Sequence, residues 1–203
     1  MQLPASTCPD DGAETRLSAQ IAFLQEIDRL KTILRASPIG DASRPENSAE
    51  HSWHIAMYAL VLVDQAGPGV RIDRVLQMLM LHDIVEIDAG DMPIHAVFDP
   101  AEQEAKEQAA ATRIFGLLPA DQAVAFRALW DEFEAAETPD AVFAKSIDRV
   151  QPLLQNLASG GGSWLDYDVT LDQIDSRVGA KVERGAPALW THVRALVAPF
   201  FSR

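Results

Sequence analysis

An all-α fold is predicted, on three observations. Apolar residues recur at helical spacing, Gly and Pro punctuate the chain between those stretches, and no segment alternates with period two over β-branched residues. Leu17 to about Arg35 carries Ile21, Phe23, Leu24, Ile27, Leu30, Ile33 and Leu34, a single buried stripe. Ser37 to Pro45 reads as a loop. Asn47 followed by Glu50 has the form of a capping box, opening a second helix that runs to Gln65 and stops at Gly67-Pro68-Gly69. A third helix spans about Ile72 to Ile87, with Val75, Leu76, Leu79, Met80 and Ile84 inward, and the loop Asp88 to Pro93 follows. Asp99-Pro100-Ala101-Glu102 supplies an N-cap, a first-turn proline and an acid, starting a helix that ends at Gly116. Pro119 starts another, ending near Glu137. Thr138-Pro139 starts the next, ending near Ser159 before Gly160-Gly161-Gly162. Thr170 with Gln173 is a further capping box. The C-terminal segment is interrupted near Gly185-Ala186-Pro187 and closes on an aromatic-rich stretch, Trp190 to Phe201.

Composition bounds the function. With 203 residues, 48% of them hydrophobic, the chain can bury one sizeable core. Residues 16–203 are expected to form a single domain. Residues 1–15 have no basic start of the kind a secretory signal needs and read as a disordered tail. The apolar run Ile55 to Val63 is broken by Tyr58 and stopped by Asp64, too short to span a bilayer, so no membrane partner is expected. Cys8 is the only cysteine, which rules out an internal disulfide and fits a cytoplasmic protein. A formal net charge of -13 repels a long nucleic acid. A small phosphate ester is still admissible, because a metal ion with an Arg or Lys reverses the field locally.

The chemistry begins at His82-Asp83, an ionisable pair inside the otherwise apolar stretch Met80-Leu81-His82-Asp83-Ile84-Val85. Burying such a pair is costly unless something compensates it, and a divalent cation does so. Alone, the dipeptide fits equally a surface pair or a core histidine bonded to a carbonyl. His51 upstream and Asp148 downstream, each on a separate predicted helix, change the balance. Helices of a bundle can aim two His and two Asp at one ion and leave positions open for water and substrate. Pro152 removes the helical partner of the Asp148 carbonyl, either a harmless kink or a local adjustment beside a ligand. Glu86 shares the helix face of His82 and Asp83, placing a general acid or base there, or else a solvated helix-end acid. Asp91, in the turn Gly90-Asp91-Met92-Pro93, reads either as a substrate contact or as an ordinary turn residue. Lys145 can neutralise phosphate or pair with Asp148. His54 reads as a support to the site, His95 and His192 lack any motif, and Trp53, Trp130, Trp164 and Trp190 read as packing residues, with Trp164 a candidate pocket wall or dimer contact.

Together these residues resemble the HD-domain metal-dependent phosphohydrolases, in the branch of the 5'-deoxynucleotidases and HD-domain-containing hydrolases. The matching segments are Arg44-Pro45-Glu46-Asn47-Ser48-Ala49-Glu50-His51-Ser52, His82-Asp83-Ile84-Val85-Glu86 with Gly90-Asp91-Met92-Pro93, and Asp148 with Leu153-Leu154 and Asn156. The resemblance implies a single HD-type helical bundle with a helical C-terminal extension. It implies one divalent metal ion (Mn, Co, Mg, Fe, Ni or Zn) on His51, His82, Asp83 and Asp148, with Glu86 and Asp91 catalytic and Asp91 near the substrate. It further implies a nucleoside 5'-monophosphate substrate, often deoxy, and a homodimer. Deoxynucleotidases carry an Arg-Trp pair before the first ligand helix. Here Leu34-Arg35-Ala36-Ser37-Pro38 supplies Arg35 as the phosphate-binding counterpart, with Arg44 and Lys145 as further candidates, and has no Trp.

Two other classes compete with a phosphomonoester hydrolase. A phosphodiesterase or di-iron oxygenase on the same scaffold needs histidines for a second metal, and His54, His95 and His192 repeat no ligand spacing. A non-catalytic metal- or nucleotide-binding regulator would retain the ligands without turnover.

Overall fold

The computed structural model describes residues 11–202. Helix α1 spans Asp11–Ile27 and passes into a 3₁₀ turn, Asp28–Thr32. Of the predicted tail, residues 1–10 lie outside the described residues, and 11–15 belong to α1. The expected helix to Arg35 is corrected: Leu34–Pro38 is strand β1, paired antiparallel with β2, Pro45–Asn47. So short a hairpin offers no period-two signal, and Pro38 disfavours helical backbone at Ser37. Its effect is to hold Arg35 above the start of α2 (Ser48–Val61), whose first amide, that of Ser48, donates to the Ile33 carbonyl at 3.0 Å.

The capping signals fall where the sequence puts them. Asn47 and Glu50 close a reciprocal capping box on α2. Asp99 caps α5 (Pro100–Phe115), and Thr138 caps α7 (Pro139–Ala158). Between α5 and α7 lies α6 (Ala120–Ala135). The third predicted helix is not continuous. It runs as α3 (Ile72–Leu81), turns as 3₁₀ over His82–Val85, and ends as α4 (Glu86–Ala89). Trp130 on α6 donates its indole N–H to the His82 carbonyl at 3.1 Å and secures that turn.

Helix α7 is the axis of the bundle, packing on α2, α3, α6 and the C-terminal helices. Phe143, Ala144, Ile147 and Val150 along it are fully buried, each large side chain contributing roughly 1.5–3 kcal/mol of transfer free energy. The C-terminal extension comprises α8 (Ser163–Asp166), α9 (Leu171–Ile174), a π turn Asp175–Gly179, α10 (Ala180–Gly185) and α11 (Pro187–Val197). Gly185 lets α10 touch α7: a Cβ there would lie 2.3 Å from Ser146 Oγ and 2.6 Å from the Val142 carbonyl. The buried apolar residues form one cluster from Phe23 to Val197. No described helix is long and apolar enough to cross a membrane.

Candidate metal centre

His51 projects from the first turn of α2, His82 and Asp83 from the 3₁₀ turn after α3, and Asp148 from the middle of α7. All four are buried. His51 donates from Nδ1 to Gln151 Oε1 at 3.1 Å, and His82 donates from Nδ1 to the Leu79 carbonyl at 2.8 Å. Both acceptors lack a proton to give, so both rings keep Nδ1–H and turn Nε2 toward the carboxylates. His51 Nε2 is 3.1 Å from Asp148 Oδ1 and 4.0 Å from Asp83 Oδ2. His82 Nε2 is 2.8 Å from Asp83 Oδ1 and 3.7 Å from Asp148 Oδ1.

These side chains fit a divalent cation. His51, His82 and Asp83 offer ligand atoms within 4.8 Å of one another, and Asp148 joins them through its distances to the two imidazoles. Ligands at right angles on an ion with bonds of about 2.1 Å stand about 3 Å apart, the spacing of the closest pairs. His82 Nε2, although buried, lies in no hydrogen bond, its approach to Asp83 being off the bonding direction. Among the described residues this is the one such group of ligand side chains. His54 stands outside it, taking a 3.1 Å contact from Gln151 Nε2.

The electrostatics match a site made for positive charge. Burial alone would lower His82, but Asp83 and Asp148 lift it to about 10. Burial opposes ionisation of Asp83, yet His82 and Arg35 outweigh it and hold that carboxyl below its ordinary range. Asp148 is likewise held well below its ordinary value, because His51, His82 and Arg149 together outweigh the cost of burial. Glu86 goes the other way: burial and then the charge of Asp83 raise it well above an ordinary glutamate. Asp91 is raised by burial and by Asp83, against the pull of Arg35. Burial works against the charge on Arg35, but Asp83, Asp91 and Glu86 more than compensate and raise its pKa.

The hairpin and the post-α4 turn complete the site. Arg35 Nη1 is 2.9 Å from Asp83 Oδ2, 3.3 Å from Asp91 Oδ1 and 3.6 Å from Glu86 Oε1. Ser48 Oγ donates to Glu86 Oε2 at 2.5 Å. Gly90, at φ +77°, bends the chain after α4 so that Asp91 returns to the cluster, a conformation that favours glycine. Two depressions meet here. One is acidic, with His82, Asp83, Glu86, Asp91, Lys145 and Asp148. The other has walls of Pro152, Leu153, Trp164 and Tyr167 and offers about 620 Å³ free of protein atoms, its open mouth included.

Two predicted substrate ligands are placed differently from the cluster. Arg44 forms an exposed pair with Glu50 at 2.7 Å and lines a separate depression with Trp53 and Tyr58. Lys145 borders the acidic depression but bonds Glu134 at 3.0 Å and lies over the Phe133 ring, so the expected alternative of a pair with Asp148 is not formed. Trp164 is a buried cavity wall. Trp53, read as a packing residue, is instead 62% exposed and stacks on His54. The sequence reading missed Gln151, which orients His51, and Arg149, which lines both depressions. A glutamine three residues past Asp148, on the same helical face, was the available signal for the first.

The HD-domain family model matches residues 27–190. With the four-residue cluster, the hairpin arginine and an all-helical bundle on the page, the chain belongs to the HD-domain family. It is 28% identical over 136 residues to human 5'-deoxynucleotidase HDDC2, the match spanning 66% of this chain and 65% of that protein. It is also 28% identical over 161 residues to the 5'-deoxynucleotidase of Erwinia tasmaniensis, spanning 74% of this chain and 81% of that one. A crystal structure of a predicted metal-dependent phosphohydrolase from Magnetospirillum magnetotacticum MS-1 is 50% identical, with a TM-score of 0.86 over 92% of this chain and 95% of that one. A conserved hypothetical protein from Pyrococcus furiosus shares the fold at 19% identity, with a TM-score of 0.60 over 86% of this chain and 99% of that one.

Proposed function

We propose that this protein is a metal-dependent phosphohydrolase that releases phosphate from nucleoside 5'-monophosphates, deoxy forms included, with His51, His82, Asp83 and Asp148 holding one divalent ion. The observation that carries the reading is the convergence of two imidazole Nε2 atoms and two carboxylates beside Arg35, at the mouth of a cavity walled by Trp164 and Leu153. Relatives called 5'-deoxynucleotidases supply the substrate class.

When bound, a divalent ion supplies Lewis-acid polarisation of a phosphoryl oxygen and acidifies a water. The chain's own residues do the rest. Arg35, close to Asp83 and Asp91, meets the negative charge of the phosphoryl group. Asp91 holds the Arg35 guanidinium toward the cavity. Glu86, fixed by Ser48, takes a proton from the attacking water as its oxygen bonds to phosphorus. The ester P–O bond breaks, and the same proton passes to the departing 5'-oxygen, giving nucleoside and phosphate.

A phosphate-release assay over ribo- and deoxynucleoside 5'-monophosphates, with Mn, Co, Mg, Fe, Ni and Zn in turn, tests this. Turnover should require metal and should be lost in E86A while metal content is retained. No turnover with any ion would replace the reading with a non-catalytic binding role. Homodimerisation belongs to the same reading, supported by the exposed α2 stripe Trp53, Met57, Leu60 and Val61, and is checked by light scattering. A cytoplasmic location is supported by the single cysteine and is checked by imaging a tagged full-length chain.

A further inference from the structure

We propose that Arg149 is a phosphate-binding residue, its guanidinium placed to take a phosphoryl oxygen of the substrate alongside Arg35. The inference rests on the phosphohydrolase reading and names a residue that neither the family pattern nor the sequence spacing singled out.

Arg149 follows Asp148 on α7 and lines both depressions that meet at the metal cluster. Its Nε–H is buried and has no hydrogen-bond partner. The nearest carboxylate oxygen is Asp148 Oδ2, at 3.5 Å, and the other oxygen of that carboxylate faces the two histidines. Other described arginines are held by carboxylates close by. Arg71 holds Asp140 at 2.8 Å, Arg194 holds Asp175 at 2.7 Å, and Arg35 itself is drawn to Asp83 and Asp91. A buried guanidinium N–H without an acceptor is costly, and a ligand anion is the acceptor the site leaves room for.

The surroundings favour the same ligand. Lys181 stands on the flank of Arg149, with no carboxylate within ion-pair distance among the described residues, and Arg149 is the chief cause of its lowered pKa. His95 lines the cavity with a buried Nδ1 that has no partner, and burial, Arg177 and Arg149 together bring it down to about 4. Arg149 and Lys181 border one further depression and repel each other, a repulsion that an anion bound at Arg149 relieves. In a protein of net charge -13, Arg35 and Arg149 are the two arginines that line both depressions at the cluster. The planar fork of Arg suits two phosphoryl oxygens at once, which an ammonium cannot match.

The test is calorimetric titration of inorganic phosphate into the full-length, Mn²⁺-loaded protein, comparing wild type, R149Q and R149K, with Mn²⁺ affinity measured on the same preparations. R149Q should weaken phosphate binding by about 10-fold or more, as expected for a lost charge-assisted hydrogen bond. R149K should fall between, and Mn²⁺ affinity should stay within about 3-fold. In turnover, R149Q should raise KM for a nucleoside 5'-monophosphate more than it lowers kcat. Unchanged phosphate affinity in R149Q, a parallel loss of Mn²⁺ affinity, or no phosphate binding by wild type overturns the proposal. Phosphate binding is read without turnover. A protein that binds phosphate through Arg149 yet hydrolyses nothing therefore refutes the proposed reaction and leaves this residue's role standing.

Discussion

Helix α7 carries two buried carboxylates, two turns apart, and the protein treats them in opposite ways. Asp140, in the first turn, is closed off by protein donors. Its Oδ1 accepts the Arg71 backbone N–H at 2.6 Å, its Oδ2 accepts Arg71 Nε at 3.1 Å and Nη2 at 2.8 Å, and Arg74 Nε stands at 3.5 Å. Asp148 meets the Nε2 edges of two imidazoles, at 3.1 and 3.7 Å, and an arginine held off at 3.5 Å. A carboxylate saturated by cations of its own chain is structural. One faced by two imidazole edges and a guanidinium that makes no hydrogen bond to it can exchange those neighbours for a cation. Asp140 also ties the start of α3 to the start of α7, at the opposite end of α3 from His82 and Asp83.

The largest expected effect lies at the open end. D148N should lose stoichiometric metal and at least about 100-fold in phosphate release, since altering even an outer neighbour of a ligand costs 10–100-fold. Metal analysis beside an activity assay reads both. The melting temperature of the metal-free protein should change less than that of D140N. An equal collapse would make Asp148 structural and erase the distinction between the two acids.

At the closed end, D140N should retain metal stoichiometry and lose about 3 kcal/mol in urea unfolding, the low end for breaking a buried ion pair because Arg71 is itself largely exposed. Next comes Gln151, which accepts from His51 and donates to Glu46 Oε1 at 3.0 Å. Q151L should weaken metal binding by about 10–100-fold through the loss of His51 orientation, with calorimetry as the measure. Intact affinity would show that packing alone sets the ring.

The smallest effect belongs to an acid paired on the surface. Arg44, with the Asn47 N–H, holds Glu50 below its ordinary value of 4.5. Its contribution is therefore complete above that value and is lost as pH falls through the lowered folded pKa. E50Q keeps the capping geometry and removes the charge. It should cost no more than about 1 kcal/mol at neutral pH, since both partners are well exposed, and the difference from wild type should shrink as pH falls below 4.5. Urea unfolding across that range checks it.

How much of this was legible in the sequence follows the range of the interactions. Caps are local, so Asn47, Asp99, Thr138 and Thr170 each mark a helix start that the structure contains. The ligands stood out because two His and two Asp sat among apolar neighbours. The hairpin did not, because strands this short are set by pairing rather than by pattern. Nor did the 3₁₀ turn at His82, which depends on Trp130 reaching across from α6. Arg44 and Lys145 were chosen by charge, and charge says nothing of direction: Glu50 and Glu134 hold them. Arg149 was passed over because adjacent positions on a helix diverge by about 100°. It borders the site because both depressions reach it as well as Asp148.

The turn at His82–Val85 has a mechanical corollary. Two of the four proposed ligands ride on a short, tightly wound segment between two helical shafts, anchored at the back by the Trp130 indole. His82 and Asp83 are therefore placed from α6 as well as from α3, and loss of the one indole contact would reach both side chains together.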